Sequence, residues 1–538
     1  MKNLQSTAGD TIHRPANRYF ADFRALIDDF ERRGKLYRWR RPVNKDTELM
    51  PLMRLQYRGL PDDKRQVLLF ENVLDSKGRQ YGVKVATGMY GSSRTILGLG
   101  MGCEDPQEIY EKWHRALAKP LPPRLVDFSP LHEKVYSGSG LSQFGLTDLP
   151  APVEEPGFSC GIRVTAPFIT KDPETGIRNV GMYSGHFRGK HKLIAGIART
   201  HHAMLYHHPA AVKRGEPLPV AIVLGALPDI NFVAAANLPY GLDELEVAGA
   251  IRGRPVDLVR CKTIPLEVPA EAEIVIEGEI SLHAMERGEP FSDYPGYLMA
   301  ERGLRSVIDV KAITHRNEPI FSAILVGLPP SESNGISRTC REMMLYNFLK
   351  YSCNLPEVLE VCCPEMGGGW NWWVIRMAKT HPSKPKQALQ AASGMDTTNK
   401  VIIVVDEDVD PKDPDMVMWA ISFAMQPHRD VQVITGRSPL LDPSAYALMN
   451  HPEERFYPPP VGCGGLLIDA TRKGKYPPVG LPKKKYMERA LEVWREAKMP
   501  ELQLKTPWYG YPLDLWTPQD DELAEAVARG DYFYSVKK

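Results

Sequence analysis

Three different patterns of apolar and polar residues follow one another along the chain. Near the amino terminus, residues 20–34 (FADFRALIDDFERRG) carry apolar side chains at helical spacing and end at a glycine, and residues 65–73 (RQVLLFENV) form an apolar run of strand length. These two segments predict an N-terminal α/β domain. The proline-rich stretch 119–133 (KPLPPRLVDFSPLHE) interrupts the pattern, so we predict a first domain that covers residues 1–118.

The middle of the chain, from about residue 140 to 330, consists of short β-type runs divided by Gly and Pro turns. The runs are RVTAPFIT, PVAIVLGA, AEIVIEGEI, SVIDVKAIT and IFSAILVGL. Strands at this spacing favour a barrel or a sandwich. The segment KDPETGIRNVGMY (171–183) predicts a hairpin with its turn at PETG, and residues 193–215 (LIAGIARTHHAMLYHHPAAVKRG) predict one helix. We therefore predict a central β-barrel domain that covers residues 119–335.

The last part of the chain alternates helical and strand patterns. The segments KQALQAASGM, KVIIVVDEDVD, PDMVMWAISFAM and DVQVITG follow one another. This order is typical of an α/β domain with a parallel sheet. The final forty residues read as helical and predict an arm that packs on a partner subunit. The third predicted domain covers residues 336–538.

Composition narrows the class of protein. Of 538 residues, 43% are apolar and 25% are charged, as in an ordinary globular protein, and 67 basic residues balance 66 acidic ones. A net charge of +1 argues against a general nucleic-acid binder. We see no signal-peptide pattern and no apolar run long enough to span a bilayer, so we predict a cytoplasmic protein with no membrane partner. Eight cysteines without a CxxC pair predict reduced thiols rather than a zinc ribbon or a disulfide framework.

Histidines are concentrated in one short part of the chain. Six of the fourteen lie at positions 186, 191, 201, 202, 207 and 208. No HExxH motif occurs, so we interpret them as polar-face or anion-contacting residues rather than as a zinc site. Residues 88–100 (GMYGSSRTILGLG) could form an anion cradle of backbone amides, but they lack the features of a P-loop, which argues against nucleotide hydrolysis.

Four further polar residues each allow two interpretations. Asn179 opens a predicted strand and could bind a hard cation or serve as a turn residue. Glu244 lies at a predicted helix start and could be a metal ligand or simply a favourable charge at a helix N-terminus. Glu289 and Asp293 lie on the loop GEPFSDYPGY (288–297), where they could act as acid or base groups or belong to a plain turn.

Taken in order, several motifs resemble those of one enzyme family. They are TGMYGSSR, TKDPETGIRNVGMY, VPAEAEIVIEGEI, PFSDYPGY and LLIDATRKGKY. Across nearly its whole length the chain resembles the UbiD family of reversible non-oxidative decarboxylases. This resemblance implies an N-terminal α/β domain, a split β-barrel of flavin-reductase type and a C-terminal α/β domain that is used in oligomerisation. The implied assembly is a homodimer or a homohexamer.

The resemblance also implies a cofactor and its ligands. The family uses prenylated FMN together with a divalent metal, Mn²⁺ or Fe²⁺, and K⁺. By position, Asn179, His202 and Glu244 match the family's metal ligands, and His201 joins them in the implied cofactor-binding set. Oxygen and imidazole donors of this kind suit Mn²⁺ or Fe²⁺.

The chain departs from the family at the residues that handle protons. The family's trio is Glu-Arg-Glu or Glu-Arg-Asp, but the arginine position is Ser184 here and the first glutamate position is Gly288. Only the last carboxylate remains, as Asp293. Glu289 is displaced by one residue and could substitute for the missing glutamate. His186 or Arg188 could substitute for the missing arginine.

The resemblance implies decarboxylation of an aromatic acid, as in the degradation of aromatic compounds. An aromatic acid that carries a CoA thioester, such as phthaloyl-CoA, stabilises its own carbanion and would tolerate the loss of the arginine and the glutamate. A basic cluster formed by Arg188, Lys190, His191 and Lys192 could contact CoA phosphates, or it could be a solvated loop.

Two other functions stay open from the sequence. The changes at Ser184 and Gly288 would suit an auxiliary, non-catalytic UbiD-like subunit of a multi-subunit carboxylase. The split barrel alone would suit an FMN-dependent reductase or flavin-binding protein.

Overall fold

The computed structural model describes residues 19–197, 201–299, 304–437, 441–446 and 463–533. The chain divides into two compact units, Met1–Met343 and Met344–Lys538. None of the helices in the described ranges combines the length and the apolar character that a membrane crossing requires.

The first unit contains short helices and many strands. Its helices are α1 (Phe23–Arg32), α2 (Leu49–Gly59), α3 (Arg94–Gly100), α4 (Glu108–Ala118), α5 (His208–Arg214), α6 (Pro228–Ala235) and α7 (Glu244–Arg252), and α8 (Glu332–Asn347) begins in this unit and ends in the second. Its strands are β1 (Leu36–Trp39), β2 (Val43–Asn44), β3 (Val67–Phe70), β4 (Val73–Leu74), β5 (Gln80–Tyr81), β6 (Lys84–Thr87), β7 (Arg124–Leu125), β8 (Lys134–Ser137), β9 (Arg163–Lys171), β10 (Arg178–Phe187), β11 (Lys192–Ala195), β12 (Leu218–Leu224), β13 (Asp257–Arg260), β14 (Glu267–Pro269), β15 (Ile274–Arg287), β16 (Phe291–Ser292), β17 (Leu298–Met299), β18 (Leu304–His315) and β19 (Ile320–Ala323).

Six antiparallel strands of this unit close into a barrel. They are hydrogen-bonded in the order β11, β10, β9, β12, β15 and β18, and β18 returns to pair with β11. Alternate residues along each strand face one side, and those of the inner face form a buried core that includes Phe168, Tyr183, Leu193, Ile222 and Ile308. The closed barrel confirms the fold predicted for the middle of the chain.

The N-terminal sheet is completed by a strand from beyond the barrel. Its order is β1, β3, β6 and β19, and Thr87 of β6 pairs in parallel with Ala323 of β19. The run IFSAILVGL is therefore a strand, as its pattern predicts, but the structure assigns it to the N-terminal sheet and not to the barrel. Smaller sheets join β2, β4 and β5, and β7, β13 and β14, while β16 pairs with β17.

The prediction of one helix over residues 193–215 is wrong in its first part. Lys192–Ala195 is barrel strand β11, which pairs with both β10 and β18. A π-helical turn covers Ala203–His207, and α5 follows it directly. Closure of the barrel needs a strand here, and these tertiary hydrogen bonds override the helical spacing of the apolar residues.

The second unit is an α/β layer, as its alternating pattern predicts. Its strands are β20 (Val358–Cys362), β21 (Trp372–Met377), β22 (Val401–Asp406), β23 (Val431–Thr435) and β24 (Gly464–Ala470). Its helices are α9 (Lys384–Met395), α10 (Pro414–Ala424), α11 (Pro427–Asp430), α12 (Pro443–Tyr446), α13 (Lys484–Glu496) and α14 (Pro518–Ala528). The sheet, in the order β20, β21, β22, β24 and β23, is parallel at its centre and antiparallel at both edges, so the purely parallel prediction is only partly right.

Candidate functional site

The hairpin of β9 and β10 fixes the position of Asn179. The carboxylate of Asp172 accepts hydrogen bonds from the backbone N–H groups of Glu174 and Thr175, and Gly176 has the positive φ of 74° that lets the chain reverse. Lys171 then pairs with Arg178, which confirms the predicted turn, and Asn179 lies directly opposite Thr170. Asn179 is therefore nearly fully buried, near the end of the β9–β10 ladder that is next to the turn.

Helix α7 brings a carboxylate to the same end of β10. The Asp243 side chain caps the helix by accepting a hydrogen bond from the backbone N–H of Leu245 at 2.9 Å. Glu244 Oε2 then accepts a hydrogen bond of 3.0 Å from the backbone N–H of Val180, the neighbour of Asn179. Burial, and to a smaller extent the charge of Asp243, raises the pKa of Glu244 to about 8.

Tyr183 lies beside this pair on the inner face of the barrel. Its ring stacks on His201 with 5.4 Å between centroids. Burial raises the pKa of the Tyr183 hydroxyl, the Asn179 side chain lowers it, and the charge of Glu244 raises it. Tyr183, Asn179 and Glu244 therefore share one environment. A Cβ at Gly181 would lie 2.2 Å from the Tyr183 hydroxyl oxygen, so only glycine leaves room for it.

His202, which precedes the π-helical turn, and His207, which is its last residue, have different surroundings. His202 packs on aromatic rings, with centroids 5.3 Å from Tyr240 and 5.6 Å from Tyr206, and burial lowers its pKa. His207 is fully buried, and its Nδ1 lies 2.9 Å from the hydroxyl of Thr170, the residue opposite Asn179. Burial lowers the pKa of His207 to about 4, so its imidazole is neutral.

His207 is thus a polar residue of this site that the sequence interpretation did not single out. The only hint of it in the sequence is the repeated HH in HHAMLYHH. The structure forms a π-helical turn there, so the residue spacing of an α-helix does not show which of these histidines share a face. Its Nε2 and the Nδ2 of Asn179 are buried without a hydrogen-bond partner among the described residues.

These groups fit the donor types that a divalent cation and an anionic cofactor would require. The buried Nδ2 of Asn179 has no hydrogen-bond partner among the described residues. A buried carboxylate lies next to this residue, and neutral imidazoles lie nearby. Within the described ranges no three His, Cys, Asp or Glu side chains converge as a metal site. We refer to Asn179, Tyr183, His201, His207 and Glu244 as the amide–carboxylate cluster.

A second polar cluster lies toward the other end of β10, on the opposite face of the strand. The hydroxyls of Ser184 and Thr165 are 2.8 Å apart across the β9–β10 ladder, where Ser184 pairs with Thr165 and His186 with Arg163. The position at which the resemblance implies an arginine therefore carries Ser184, whose neutral hydroxyl is hydrogen-bonded to that of Thr165.

Phe291 and Asp293 complete this second cluster from the loop after β15. The Phe291 ring centroid lies 4.7 Å from the Arg163 guanidinium, 5.6 Å from that of Arg305 and 5.0 Å from the His186 ring. Burial raises the pKa of Asp293, while the Tyr294 N–H and the charges of Arg163 and Arg305 lower it. We refer to Arg163, His186, Phe291, Asp293 and Arg305 as the arginine–aspartate cluster.

Glu289 takes a different partner from Asp293. Its Oε1 forms an ion pair of 2.9 Å with Arg188, and its Oε2 is buried without a hydrogen-bond partner in the part of the chain that the structure describes. A Cβ at Gly161 would lie 2.2 Å from Glu289 Oε2, so the glycine makes room for the carboxylate. Burial, followed by the charges of Arg163, Arg305 and Arg188, lowers the pKa of His186 to about 3, so His186 does not replace a missing cation.

The basic cluster 188–192 is balanced by nearby carboxylates. Arg188 pairs with Glu289, Lys192 with Glu286, and Lys190 lies 3.5 Å from Asp148. The cluster therefore does not present a strong local excess of positive charge to a phosphate.

Comparison with protein families matches most of the chain. Residues 27–117, 128–329 and 336–470 match the N-terminal, Rift-related and C-terminal domains of 3-octaprenyl-4-hydroxybenzoate carboxy-lyase, UbiD. A protein of Aquifex aeolicus is 31% identical over 481 residues, which cover 85% of this chain and 93% of that protein.

Solved structures agree in fold. The UbiD-class enzyme HmfF of Pelotomaculum thermopropionicum, solved in complex with prFMN as an evolved dimeric form, is 29% identical with a TM-score of 0.72 and covers 84% of this chain and 95% of its own. The vanillic acid decarboxylase of Sedimentibacter hydroxybenzoicus is 26% identical with a TM-score of 0.74 and covers 89% of this chain and 100% of its own.

Proposed function

The chain belongs to the UbiD family of carboxy-lyases, and from this membership we propose that it decarboxylates an aromatic carboxylic acid with the aid of prenylated FMN. The observation that carries the proposal is the hydrogen bond from the Val180 N–H to the buried carboxylate of Glu244, next to Asn179, whose Nδ2 is buried without a hydrogen-bond partner among the described residues. A family enzyme that had lost its cofactor would have no need to keep a carboxylate buried there, since burial opposes its charged form.

We propose that Asn179, His202 and Glu244 would hold a divalent metal, Mn²⁺ or Fe²⁺, and that the amide–carboxylate cluster would hold prenylated FMN, with K⁺ as a further cofactor. When bound, prenylated FMN supplies an electron sink for the charge that remains on the substrate when CO₂ leaves. Asn179, His202 and Glu244 would ligate the metal, and Tyr183 and His201 would close the site from the barrel interior. The neutral state of the imidazoles suits metal ligation, which requires an unprotonated nitrogen.

Asp293 is our choice for the group that handles the proton. Burial raises its pKa, which keeps the carboxyl available as a proton donor at higher pH than an exposed aspartate. Glu289 would assist from the same loop, and its ion pair with Arg188 orients it.

The finer proposal concerns the substrate. We propose that a CoA thioester of an aromatic acid is accepted, on the ground that Ser184 and Gly288 remove an arginine and a glutamate whose loss a self-stabilised carbanion would tolerate. The balanced charges of the basic cluster give this proposal no further support, so it depends on those two positions.

We propose a homodimer or homohexamer and a cytoplasmic location, and we keep the three domains 1–118, 119–335 and 336–538 as a proposal. Exposed apolar side chains on the second unit support a subunit interface there: Met418 and Phe423 on α10 are 65% and 68% exposed, and Val433 on β23 is 73% exposed. Light scattering of the purified protein measures the assembly directly.

The experiment that tests the function is co-expression with a flavin prenyltransferase, followed by mass and absorbance spectra of the released cofactor and a metal assay. Prenylated FMN with a stoichiometric divalent metal, and CO₂ release from aromatic acids or their CoA thioesters, is the expected result. An auxiliary subunit is the second candidate, favoured by Ser184 and Gly288. A protein that binds no flavin under these conditions, or binds it and turns over no acid or thioester, would favour that candidate.

A further inference from the structure

His186 and Arg305 lie on the same face of the barrel wall. In the antiparallel ladders His186 of β10 is opposite Ile194 of β11, and Ile194 is opposite Val307 of β18. Residues paired in this way point to the same face of a sheet, as does every second residue along one strand. Arg305, two residues before Val307, and Ser184, two residues before His186, therefore share that face.

The ring of Phe291 packs against both side chains. Its centroid lies 5.0 Å from that of the His186 ring, at an interplanar angle of 61°, and 5.6 Å from the Arg305 guanidinium carbon. Phe291 is two residues before Asp293, the residue that we propose handles the proton. His186 and Arg305 thus contact the loop of the proposed active site.

His186 has hydrogen-bonding capacity that the described part of the chain leaves unused. The residue is only 6% exposed, and its Nδ1 is buried without a hydrogen-bond partner among the described residues. Burial, followed by the charges of three arginines, lowers the pKa of His186 to about 3, so the ring is neutral. A neutral imidazole has one N–H group and one lone pair, so it can donate to a carbonyl oxygen or accept from a hydroxyl.

The polar side chains beside His186 are engaged with other residues. Arg163, opposite His186 on β9, donates hydrogen bonds of 2.8 and 2.6 Å to the Glu154 carboxylate. The hydroxyls of Ser184 and Thr165 lie 2.8 Å apart and bond to each other. These neighbours therefore do not use the capacity of His186, and a buried polar group in this state calls for a partner.

Arg305 is a cation whose anion the described residues do not provide. The residue is half-buried, and its guanidinium makes no hydrogen bond or ion pair within the part of the chain that the structure describes. Burial lowers the pKa of Arg305, but arginine keeps its charge because its ordinary pKa is above about 12. A half-buried guanidinium of this kind suits a carboxylate ligand, with which it forms charge-assisted hydrogen bonds.

The backbone after β11 leaves room for this guanidinium. A Cβ at Gly196 would lie 2.4 Å from Nη1 and 2.9 Å from Cζ of Arg305. Any side chain at position 196 would therefore displace the charge. The gap at Gly196 and the contact with Phe291 together define where the Arg305 charge lies, beside an aromatic ring and on the same face as the neutral imidazole.

We propose that Arg305 and His186 form a substrate subsite, in which Arg305 binds the carboxylate of an aromatic acid and His186 hydrogen-bonds an oxygen substituent on its ring. Phe291 contacts the ring itself. The oxygen belongs to a hydroxyl or to the carbonyl of a thioester, two sources that the test separates. Burial raises the pKa of Asp293, which favours its uncharged form and limits its repulsion of a ligand carboxylate. The inference rests on the proposed function, which supplies the aromatic acid.

The test uses the purified full-length protein with benzoate, 2-hydroxybenzoate and 2-acetylbenzoate, whose carbonyl stands for that of a thioester. Ligand-observed NMR gives the dissociation constant of each acid without turnover. We expect at least one substituted acid to bind roughly 3- to 10-fold more tightly than benzoate, the effect of one neutral hydrogen bond. Tighter binding of 2-acetylbenzoate would identify the oxygen as a carbonyl, and tighter binding of 2-hydroxybenzoate would identify it as a hydroxyl.

The two side chains should affect binding in different ways. Arg305→Gln should weaken the binding of all three acids by about 10-fold or more, because it removes the charge that meets the carboxylate. His186→Phe keeps an aromatic ring of similar size and should weaken only the substituted acids, to the level of benzoate.

Lys311→Gln and His315→Phe are the matched controls and should bind all three acids as the wild type does. Lys311 lies on the same strand as Arg305 but pairs with Glu279 at 3.0 Å. His315 is also 6% exposed, and its Nε2 is buried without a hydrogen-bond partner among the described residues, but its ring stacks on that of Tyr136 with 5.6 Å between centroids.

Gly196→Ala gives a second route to the same result if Arg305→Gln folds poorly, because it keeps the arginine but displaces it. Wild-type affinities in both of these variants, or an unchanged preference for substituted acids in His186→Phe, would overturn the proposal. If the wild-type protein binds none of the three acids, the inference and the aromatic-acid assignment fail together. If binding follows the expected pattern but the holoenzyme releases no CO₂, only the decarboxylase assignment fails.

Discussion

Arg163 and Glu154 form a two-point ion pair that is buried at both ends. The guanidinium and the carboxylate are joined by hydrogen bonds of 2.8 and 2.6 Å, and the two side chains are only 4% and 6% exposed. The same arginine reaches the carbonyl of Ser292, one residue before Asp293. Arg163, held by Glu154, thus attaches the loop that contains Asp293 to barrel strand β9.

Breaking this pair should destabilise the protein strongly. Arg163→Met leaves the Glu154 carboxylate buried without its cation, and we expect a loss of about 3–5 kcal/mol in the free energy of unfolding. The double variant Arg163→Met/Glu154→Gln should recover part of that loss, because no uncompensated charge remains. Denaturant unfolding of the two variants measures both values, and equal losses would mean that the pair contributes no coupling.

Removal of the Glu244 charge should weaken metal loading. Glu244→Gln keeps the size of the side chain and can still accept from the Val180 N–H, but it removes a metal-ligating carboxylate. We expect metal content and FMN affinity to fall by roughly 10-fold or more, in line with the effects of ligand-shell changes. Glu246→Gln, on the same helix, is the control and should load normally. Full metal occupancy in Glu244→Gln would exclude Glu244 as a ligand.

Asp293→Asn should stop turnover while the cofactor stays bound. The amide cannot donate or accept the reacting proton, and loss of such a group costs roughly 10²–10⁴-fold in rate. Cofactor content is read from the flavin absorbance of the same sample. Glu289→Gln, from the same loop, tests whether its displaced carboxylate assists, and a rate as low as that of Asp293→Asn would give both residues a part. Wild-type turnover in Asp293→Asn would remove it from the mechanism.

Stability should depend on pH through Glu332, which lies outside both clusters. Its carboxylate accepts hydrogen bonds of 2.9 Å from the N–H groups of Gly88 and Tyr90, and burial raises its pKa to about 7. A raised pKa means that the folded state binds the proton of Glu332 more tightly than the unfolded state does. The stabilisation that results is complete below the unfolded-state pKa of 4.5 and is lost as the pH rises through the folded-state pKa of about 7.

The wild-type protein should therefore lose a few kcal/mol relative to Glu332→Gln between pH 4.5 and pH 7. Denaturant unfolding of both proteins across this range measures the difference. Glu318→Gln, at an exposed position, should follow the wild-type curve. Parallel curves for wild type and Glu332→Gln would show that Glu332 titrates normally.

Local patterns were sufficient to predict the barrel hairpin, because PETG supplies both a turn and the glycine that the positive φ at Gly176 requires. They were not sufficient for Lys192–Ala195, whose helical spacing is overridden by pairing with β10 and β18. The spacing of apolar residues within one segment does not contain the hydrogen bonds to distant strands that make this segment a strand.

The site shows the same limit. Asn179 and Glu244 were identified by resemblance, but 65 positions separate them and only the fold shows that Glu244 binds the backbone next to Asn179. Contacts across strands are set by tertiary pairing, and no sequence spacing encodes them.

The pairing of Thr87 with Ala323 also determines when the N-terminal region can finish folding during synthesis. Strand β6 leaves the ribosome long before β19, so until the whole barrel has been made it has an unpaired edge. A fragment that ends at residue 118 would keep that edge permanently and should self-associate. The barrel is in effect an insertion within the N-terminal sheet, and any attempt to exchange or express these regions separately must carry residues 320–323 along with the first hundred.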